Sequence, residues 1–414
     1  MMQKKYIYLC GPTVYNKVHI GNMRPIVTFD LIVRGWKYLE PKNVIFIHNI
    51  TDIDDKIIAQ AQQEQLSETQ ISQTYFAFYQ KMLKAFNIQT IDVMPKVTDH
   101  MELIVDFVAN LQAKNYAYEA NHSIYFATKK LKSYGEVSHI KLEQALAQKE
   151  LEQANSFDFA LWKSKTEGQT WNLKLGQGRP GWHTECAAFV AQYANQNSLL
   201  IHGGGIDLKF PHHENENAQY QALHDKVITN QWLHIGVINW KKQKMSKSLG
   251  NIIYADEFIE KYQDQVNAVD LFRLLILSTS YRSVIELNDD LINSLIKKQK
   301  QIEKIIMFVL INDLVKDDLN LKNLIASDLT NYSFSKIWKL LNENIKVFNE
   351  NKNIEAAQTV FNILNFLGFS FIKNHSINLD EVKPIYEQWK KAVAEKDFQT
   401  ADQLRIILIK NKII

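Results

Sequence analysis

The chain has 414 residues, 46% hydrophobic and 22% charged, and 48 basic against 45 acidic residues give a formal net charge of +3. This length suffices for two or three domains, and the composition is typical of a globular protein. No apolar run reaches the ~18 residues of a membrane-spanning helix or resembles a signal peptide, so we expect a cytoplasmic protein. Two cysteines, Cys10 and Cys186, are too few for a disulfide scaffold, and small buried hydrophobic residues are their simplest interpretation.

The first fifty residues predict a β-α-β unit. Residues 4–10 form a short run rich in aromatic and β-branched side chains, residues 22–39 have apolar positions at helical spacing, and residues 43–50 form a second β-type run. Strand, helix and strand in this order predict a parallel sheet. Ligands of such sheets bind beyond the carboxyl ends of the strands, where "CGPTVYNKVHIGN" and "HNITDIDD" lie.

The rest of the chain divides into segments with different residue patterns. Residues 56–114 are mostly helical in pattern, whereas residues 115–196 contain short β-type runs, loops and glycines, which indicates an insertion in the sheet. Next come a predicted strand in "SLLIHGGGIDL", a helix in "PHHENENAQYQALHD", a strand in "WLHIGVINW" and a polar loop, "KKQKMSKSLGN". Beyond residue 255 helical periodicity continues to the end and predicts an all-α domain.

Four side chains are candidate metal ligands. His212 and Glu216 are four residues apart on a predicted helix and so share one face, although such a pair is more often a solvated helix face. Cys10 ends the first predicted strand, and Cys186 lies in "RPGWHTECAA" before a helical segment. If the sheet forms as predicted, the four could converge. Two thiolates, an imidazole and a carboxylate form a set that suits zinc.

A second group points to a nucleotide. The segment KMSKS, Lys244 to Ser248, is either a mobile basic loop or an element that wraps a polyphosphate and stabilises charge in a transition state. The segment HIGN, residues 19–22, lies where a helix is predicted to begin. A lone histidine there is usually structural, but the two segments together favour a nucleotide site with two phosphate-binding elements.

These motifs resemble those of the cysteinyl-tRNA synthetases, a family of class I aminoacyl-tRNA synthetases. The similarity covers "YLCGPTVYNKVHIGN", "HNITDIDDKI", "GRPGWHTECAA", "GGGIDLKFPHHENENAQ", "KMSKSLGN", "YRSVIELNDDL" and "KDFQTADQLR", nearly the whole chain. It implies an α/β fold, with a Rossmann-type parallel sheet catalytic domain that carries an insertion, followed by an α-helical C-terminal domain. The implied boundaries are 1–114 and 197–254 for the two catalytic halves, 115–196 for the insertion, 255–290 for a stem-contact connector and 291–414 for the tRNA- and anticodon-binding domain.

The resemblance also implies roles for individual residues. It implies one zinc per subunit on Cys10, Cys186, His212 and Glu216, with the substrate thiol as a further ligand that distinguishes cysteine from serine. The cysteine pocket would be lined by Thr51 and Trp182, although Trp182 also fits a core aromatic. ATP would contact His19, Gly21, Asn22, Asp207, Lys244 and Lys247. Asn22 stands where the general class I signature has a second histidine, so that position cannot carry a positive charge.

The implied reaction is the ATP-dependent ligation of L-cysteine to the terminal adenosine of tRNA(Cys), through cysteinyl-adenylate and with release of pyrophosphate. Mg²⁺ is expected to accompany ATP, and we expect a monomer without a membrane partner. Candidate contacts to tRNA phosphates in the helical region are Lys297, Lys298, Lys300 and Arg405, which could equally be solvated helix faces.

Two alternatives remain. A cysteine ligase of mycothiol synthesis uses the same adenylate chemistry on an amino sugar, but the helical C-terminal region and His19 favour the synthetase. A non-catalytic RNA-binding paralogue is expected to lose zinc ligands or phosphate lysines, and all of them are present in this sequence.

Overall fold

The computed structural model describes residues 4–140, 157–245, 249–370 and 378–410. Its contacts group the chain into two units, each built from several segments. The first unit comprises Met1–Phe29, Lys42–Lys84 and Ile88–Val237, and the second comprises Asp30–Pro41, Ala85–Asn87 and Ile238–Ile414. The domain boundaries given above stay a prediction.

A four-stranded parallel sheet forms the centre of the first unit. Its strands are β1 (Lys5–Leu9), β2 (Val44–His48), β8 (Ile201–Gly205) and β9 (Trp232–Ile235), in the order β2-β1-β8-β9. Leu9 pairs with both His48 and Gly203, so β1 and β2 end level and β8 extends two residues further at the same edge of the sheet. Because β1 is buried between two partners, its apolar run Tyr6 to Leu9 is no more than 5% exposed.

Helices connect these strands. They are α1 (Ile20–Leu39), α2 (Asp55–Glu64), α3 (Glu68–Ala85), α4 (Met101–Ala113), α5 (Thr184–Tyr193) and α6 (Glu214–His224). Asp54 caps α2 by accepting a hydrogen bond from the Lys56 N–H, which satisfies one of the free amides at the helix start. The residues of α1 from Asp30 onwards group with the second unit.

The predicted insertion contains a five-stranded antiparallel sheet of its own. Its strands are β3 (Ala117–Ala120), β4 (Ser123–Phe126), β5 (Phe159–Ser164), β6 (Trp171–Leu173) and β7 (Gly176–Pro180), in the order β3-β4-β5-β7-β6. Lys163 on β5 and Arg179 on β7 both pair with Asp55 in the first turn of α2, at 2.9 and 2.7 Å. These ion pairs connect the insertion to the helix that follows β2.

The second unit is mainly helical. It contains the small sheet β11-β10-β12, made of β10 (Ile238–Trp240), β11 (Gln243–Lys244) and β12 (Ile285–Leu287). Its further helices are α7 (Ala255–Tyr262), α8 (Ala268–Leu277), α9 (Asp289–Ile311), α10 (Leu319–Thr330), α11 (Phe334–Asn351), α12 (Ile354–Phe366), α13 (Leu379–Ala394) and α14 (Phe398–Lys410).

The structure corrects two predictions about elements. "WLHIGVINW" is not one strand, because Gly236 and Val237 separate β9 in the parallel sheet from β10 in the small sheet. Helical periodicity beyond residue 255 also missed β12, three residues that pair with β10. A membrane-spanning helix is absent from the described part of the chain, where no helix has the necessary length and apolarity.

Candidate metal centre and active site

The four candidate metal ligands come from four separate segments of the first unit. Cys10 follows β1, Cys186 lies in the first turn of α5, His212 lies in the short segment Lys209–His213 before α6, and Glu216 lies in the first turn of α6. All four are buried, and their ligand atoms lie within 4.8 Å of one another. The structure therefore brings together the whole set that the sequence singled out.

The distances around this cluster, which we call the Cys-His-Glu cluster, fall into two classes. The two sulfur atoms are 3.9 Å apart, and Cys186 Sγ lies 3.7 Å from His212 Nε2. Glu216 Oε1 lies 3.2 Å from Cys10 Sγ but only 2.6 Å from His212 Nε2. The carboxylate is thus drawn onto the imidazole as a buried ion pair.

The sulfur and imidazole positions fit zinc. With the usual bond lengths, tetrahedral zinc holds two sulfurs about 3.8 Å apart and a sulfur and an imidazole nitrogen about 3.6 Å apart. The corresponding nitrogen-to-carboxylate distance is about 3.4 Å, so Glu216 must move away from His212 by nearly 1 Å to become a ligand. The donor set therefore suits zinc, with Glu216 as its adjustable member.

Electrostatics in the cluster follow from burial and mutual contact. Burial opposes charge on both His212 and Glu216, yet their pairing outweighs it. It raises the pKa of His212 to about 10, and His212 and His202 hold the pKa of Glu216 well below its usual range. Burial, Cys186 and Glu216 raise the pKa of the Cys10 thiol, whereas the contacts to Cys10 and His212 lower the pKa of Cys186. Metal binding must therefore displace protons from Cys10 and His212.

Two histidines that the sequence did not single out lie against these ligands. His183 Nδ1 lies 3.0 Å from His212 Nδ1, and burial lowers the pKa of His183 to about 3, so its neutral ring accepts the His212 N–H. His202 Nε2 approaches Glu216 Oε2 to 2.6 Å, although their angles do not make a hydrogen bond. Their place beside candidate ligands, in "WHTEC" and "IHGGG", was the available signal.

Thr51 and Trp182, the predicted pocket residues, border this cluster. The Thr51 hydroxyl donates to Glu185 Oε2 at 2.8 Å, and Glu185 precedes Cys186. The Trp182 ring centroid lies 4.5 Å from that of His212, and Lys56 Nζ lies 5.7 Å from the Trp182 ring. Glu185, 2% exposed, was also missed, because a single acidic residue in a helix reads as a surface residue.

The HIGN segment forms the start of α1. The Gly21 N–H donates to His19 Nδ1 at 3.0 Å, so the neutral ring carries its proton on Nε2. Burial lowers the pKa of His19, and Asp207 opposes this shift, which favours the neutral ring. The His19 N–H donates to Asn22 Oδ1 at 3.1 Å, and the Asn22 amide is exposed. Asp207 lies in the turn Ile206–Leu208 directly after β8.

Lys244 of KMSKS is exposed at the end of β11 in the second unit. Ser246, Lys247 and Ser248 lie outside the described residues. The roles of Lys244 and Lys247 therefore stay a prediction.

Comparison with known proteins gives the family. Residues 1–297 match the family described as tRNA synthetases class I (C) catalytic domain. A cysteine–tRNA ligase of Malacoplasma penetrans is 38% identical, and the similarity covers 100% of this chain and 97% of that protein. This chain belongs to the cysteine–tRNA ligase family. Another cysteine–tRNA ligase, from Mycoplasmopsis pulmonis, is 41% identical over 99% of this chain, which spans 65% of the length of that relative.

Solved class I synthetases have the same fold at low identity. A methionyl-tRNA synthetase of Mycobacterium tuberculosis in complex with methionyl-adenylate matches with a TM-score of 0.60 and 13% identity, over 100% of this chain and 88% of that one. The leucyl-tRNA synthetase of Agrobacterium radiobacter K84, solved in a ternary complex with tRNA, has a TM-score of 0.62 and 9% identity, over 88% and 83%. This chain therefore has the Rossmann-type α/β domain and the helical region that its sequence predicts.

Proposed function

We propose that this chain activates L-cysteine with ATP to cysteinyl-adenylate and transfers the cysteinyl group to the 3′-terminal adenosine of tRNA(Cys). The observation that carries the proposal is the buried Cys-His-Glu cluster, beside strand ends of the parallel sheet in a chain of this family. Cys10, Cys186, His212 and Glu216 would hold a metal to which a substrate thiol could bind, and Glu216 would have to shift from His212 to make room for it.

Specificity follows from the chemistry of this donor set. When bound, zinc supplies a Lewis acid that favours a thiolate over an alcohol, so serine would lose the strongest contact in the site. Thr51 and Trp182 would line the pocket beside it, since the Trp182 ring lies against His212 and the Thr51 hydroxyl is buried next to Glu185.

For ATP, we propose contacts from the HIGN segment. His19 Nε2–H and the exposed Asn22 amide would donate to phosphate oxygens at the start of α1, where the positive end of the helix dipole also favours anions. Gly21 would leave room for the adenine, and Asp207 would accept from ribose or the substrate amine. Lys244 and Lys247 would stabilise the charge that develops when the cysteine carboxylate attacks the α-phosphate, and Mg²⁺ would accompany ATP.

The proposed reaction has two steps that can be measured separately, adenylate formation and transfer to tRNA. In the first, the carboxylate oxygen bonds to the α-phosphorus and pyrophosphate leaves. In the second, the adenosine 2′-hydroxyl bonds to the cysteinyl carbon and AMP leaves. These steps need positioning and charge stabilisation but no covalent enzyme intermediate.

The test is ATP–pyrophosphate exchange with each of the twenty amino acids, followed by charging of tRNA(Cys). We expect exchange with cysteine alone, undiminished without tRNA, and charging of tRNA(Cys). Exchange without charging would instead favour a ligase that transfers cysteine to a small amine, and exchange with serine at a comparable rate would contradict thiol selection.

A further inference from the structure

Asn49 lies beside the Cys-His-Glu cluster without belonging to it. It follows β2 as Cys10 follows β1, and the pairing of Leu9 with His48 brings the two residues level at the sheet edge. Its side chain is 1% exposed. A buried primary amide at this position has four hydrogen-bonding sites to satisfy, so its partners reveal its role.

The side-chain oxygen of Asn49 binds the backbone of the residue after Cys10. Asn49 Oδ1 accepts the Gly11 N–H at 2.9 Å. A Cβ at Gly11 would lie 1.6 Å from the Asn49 carbonyl oxygen, so the two backbones cross in direct contact. Gly11 is next to Cys10, and therefore Asn49 fixes the direction from which the Cys10 sulfur reaches the cluster.

The other half of the amide lacks a partner. Asn49 Nδ2 is buried and has no hydrogen-bond acceptor in the described part of the chain. An exchange of Oδ1 and Nδ2 does not solve this, because it would set an NH₂ group against the Gly11 N–H. The fold thus keeps an unsatisfied donor at the base of the cluster, which costs desolvation energy unless an acceptor arrives.

The sulfur of Cys186 lies beside the Asn49 amide. Its Sγ lies 3.7 Å from Asn49 Oδ1, a distance at which a protonated thiol donates weakly to that oxygen. As a metal ligand Cys186 would be a thiolate, which can only accept a hydrogen bond. The amide torsion of asparagine is broad and soft, so a partial rotation that keeps Oδ1 on the Gly11 N–H can turn Nδ2 towards Cys186 Sγ.

We propose that Asn49 is a positioning residue for the metal-bound thiolates: Oδ1 holds Gly11, and Nδ2 donates a hydrogen bond to the Cys186 thiolate. This rests on the proposed metal function of the cluster. A hydrogen bond to a thiolate stabilises its ionised form and fixes its orientation, which favours metal retention, and it also withdraws electron density from the sulfur, which leaves the metal better able to bind one more thiolate from substrate.

The experiment compares Asn49→Asp and Asn49→Ala in the full chain. Aspartate keeps the acceptor for Gly11 but loses the donor and adds negative charge, whereas alanine loses both. Each protein is loaded with cobalt(II), and the thiolate-to-cobalt charge-transfer band and the metal Kd against a competing chelator are measured. We expect both variants to shift the band to lower energy and to raise the Kd about 10- to 100-fold, with aspartate the weaker binder.

Asn362→Asp is the matched control, because Asn362 is a buried asparagine of the second unit whose amide donates to the Lys316 carbonyl. It should leave band and Kd unchanged. If Asn49→Asp does not fold, Asn49→Ser replaces it; the serine hydroxyl can donate, so it should bind metal more tightly than the alanine variant.

Two results would overturn the inference in different ways. A wild-type band and Kd in Asn49→Asp, with weak binding in Asn49→Ala, would mean that Asn49 acts only through Gly11. A wild-type protein that takes up neither cobalt nor zinc would overturn the metal function itself, and this inference with it.

Discussion

Glu216 is the residue on which the geometry of the candidate metal site depends. Its carboxylate lies between His212 and His202, each 2.6 Å away, whereas the sulfur-to-sulfur and sulfur-to-imidazole distances already suit zinc. A carboxylate that must leave a buried imidazolium is a weaker ligand than a thiolate. We therefore expect the two cysteines to dominate metal retention and Glu216 to govern how readily a further ligand enters.

The first prediction tests this difference. Wild-type protein should contain about one zinc per chain, Cys186→Ala should lose most of it, and Glu216→Gln should keep most of it, because the amide oxygen still offers a neutral donor. Elemental analysis after dialysis measures zinc content, and cysteine-dependent pyrophosphate exchange measures activation. Active wild-type protein without zinc, or equal zinc loss in both variants, would contradict the prediction.

His48 gives the first unit a pH-dependent stability. It is 1% exposed, its Nδ1 lies 3.0 Å from the Leu9 carbonyl, and its Nε2 lies 2.7 Å from the Tyr79 hydroxyl. Burial lowers its pKa to about 4, so the folded protein excludes a proton that the unfolded chain binds below pH ~6.5. The stabilisation is complete above pH ~6.5 and is lost as the pH falls towards 4.

We therefore expect the free energy of unfolding to fall by about 2 kcal/mol between pH 7 and pH 5 through His48 alone. In His48→Gln this part of the decrease should be missing, whatever the stability of the variant at pH 7. Urea titrations of both proteins at the two pH values give the comparison. Parallel decreases in the two proteins would show that His48 takes up its proton in the folded state.

At the scale of elements, the helix α1 contains both a candidate phosphate-binding segment and a buried ion pair. It begins with the HIGN segment, and its Asp30 carries an ion pair with Arg273 of α8 at 2.9 Å and one with Arg34 at 2.8 Å. Arg273 also donates to the carbonyls of Phe86, Asn87 and Leu367. The two terminal nitrogens of the Arg273 guanidinium thus have partners from several elements of the second unit, whereas its Nε has none in the described part of the chain.

Asp30→Asn should destabilise the protein by about 3–5 kcal/mol, because it leaves the buried Arg273 guanidinium without its counter-charge. Burial opposes the charge on Asp30, but Arg273 and Arg34 lower its pKa, so its contribution persists above the unfolded pKa of about 3.9 and is lost only as the pH falls through the lower folded value. Asp313→Asn removes the exposed partner of Lys383 and should cost at most about 1 kcal/mol. Denaturant titrations that give similar losses for both would refute the argument.

Local patterns in the sequence predicted the elements that bury one face or both. The runs around Tyr8 and Phe46 are β-rich because β1 and β2 are core strands, and the candidate ligand Cys10 follows the first of them. The division between β9 and β10 was not predictable, since Gly236 and Val237 interrupt neither apolar pattern nor length. Asn49, Glu185 and His202 were missed for a related reason. The burial of a polar residue depends on partners far away in sequence, which a local pattern does not show.

At the scale of the whole molecule, the candidate chemistry and the candidate RNA contacts fall in different regions. Lys297 and Lys300 are exposed on α9 and Arg405 on α14, as phosphate contacts require, whereas Lys298 donates to Asn342 and burial lowers its pKa. Lys298 is therefore the least suited of the four predicted contacts. Truncation is a poor test of this region, because Asp30–Pro41 and Ala85–Asn87 belong to the same unit.

Point substitutions give the better test. The double variant Lys297→Gln/Lys300→Gln should raise the KM for tRNA several-fold and reduce the slope of log KM against log salt by roughly 1–2. The rate of pyrophosphate exchange should stay unchanged. Lys339→Gln/Lys346→Gln is the control, since these amines already lie near Glu343 and Glu350 at 3.8 and 3.9 Å. Equal changes in both double variants would mean that net charge, and not a specific contact, governs tRNA affinity.

The contact between Cys10 and Glu216 has a consequence for biosynthesis. The two residues meet at 3.2 Å although 206 residues separate them in the chain. At about 5–20 residues per second, a ribosome needs about 10–40 s to add the segment between them. Within that interval β2 is made first, then the five strands of the insertion sheet, and only then β8, the second neighbour of β1. Until β8 is made, the nascent chain therefore has Cys10 beside an unpaired edge of β1, and the candidate metal site is complete only once Glu216 has been added.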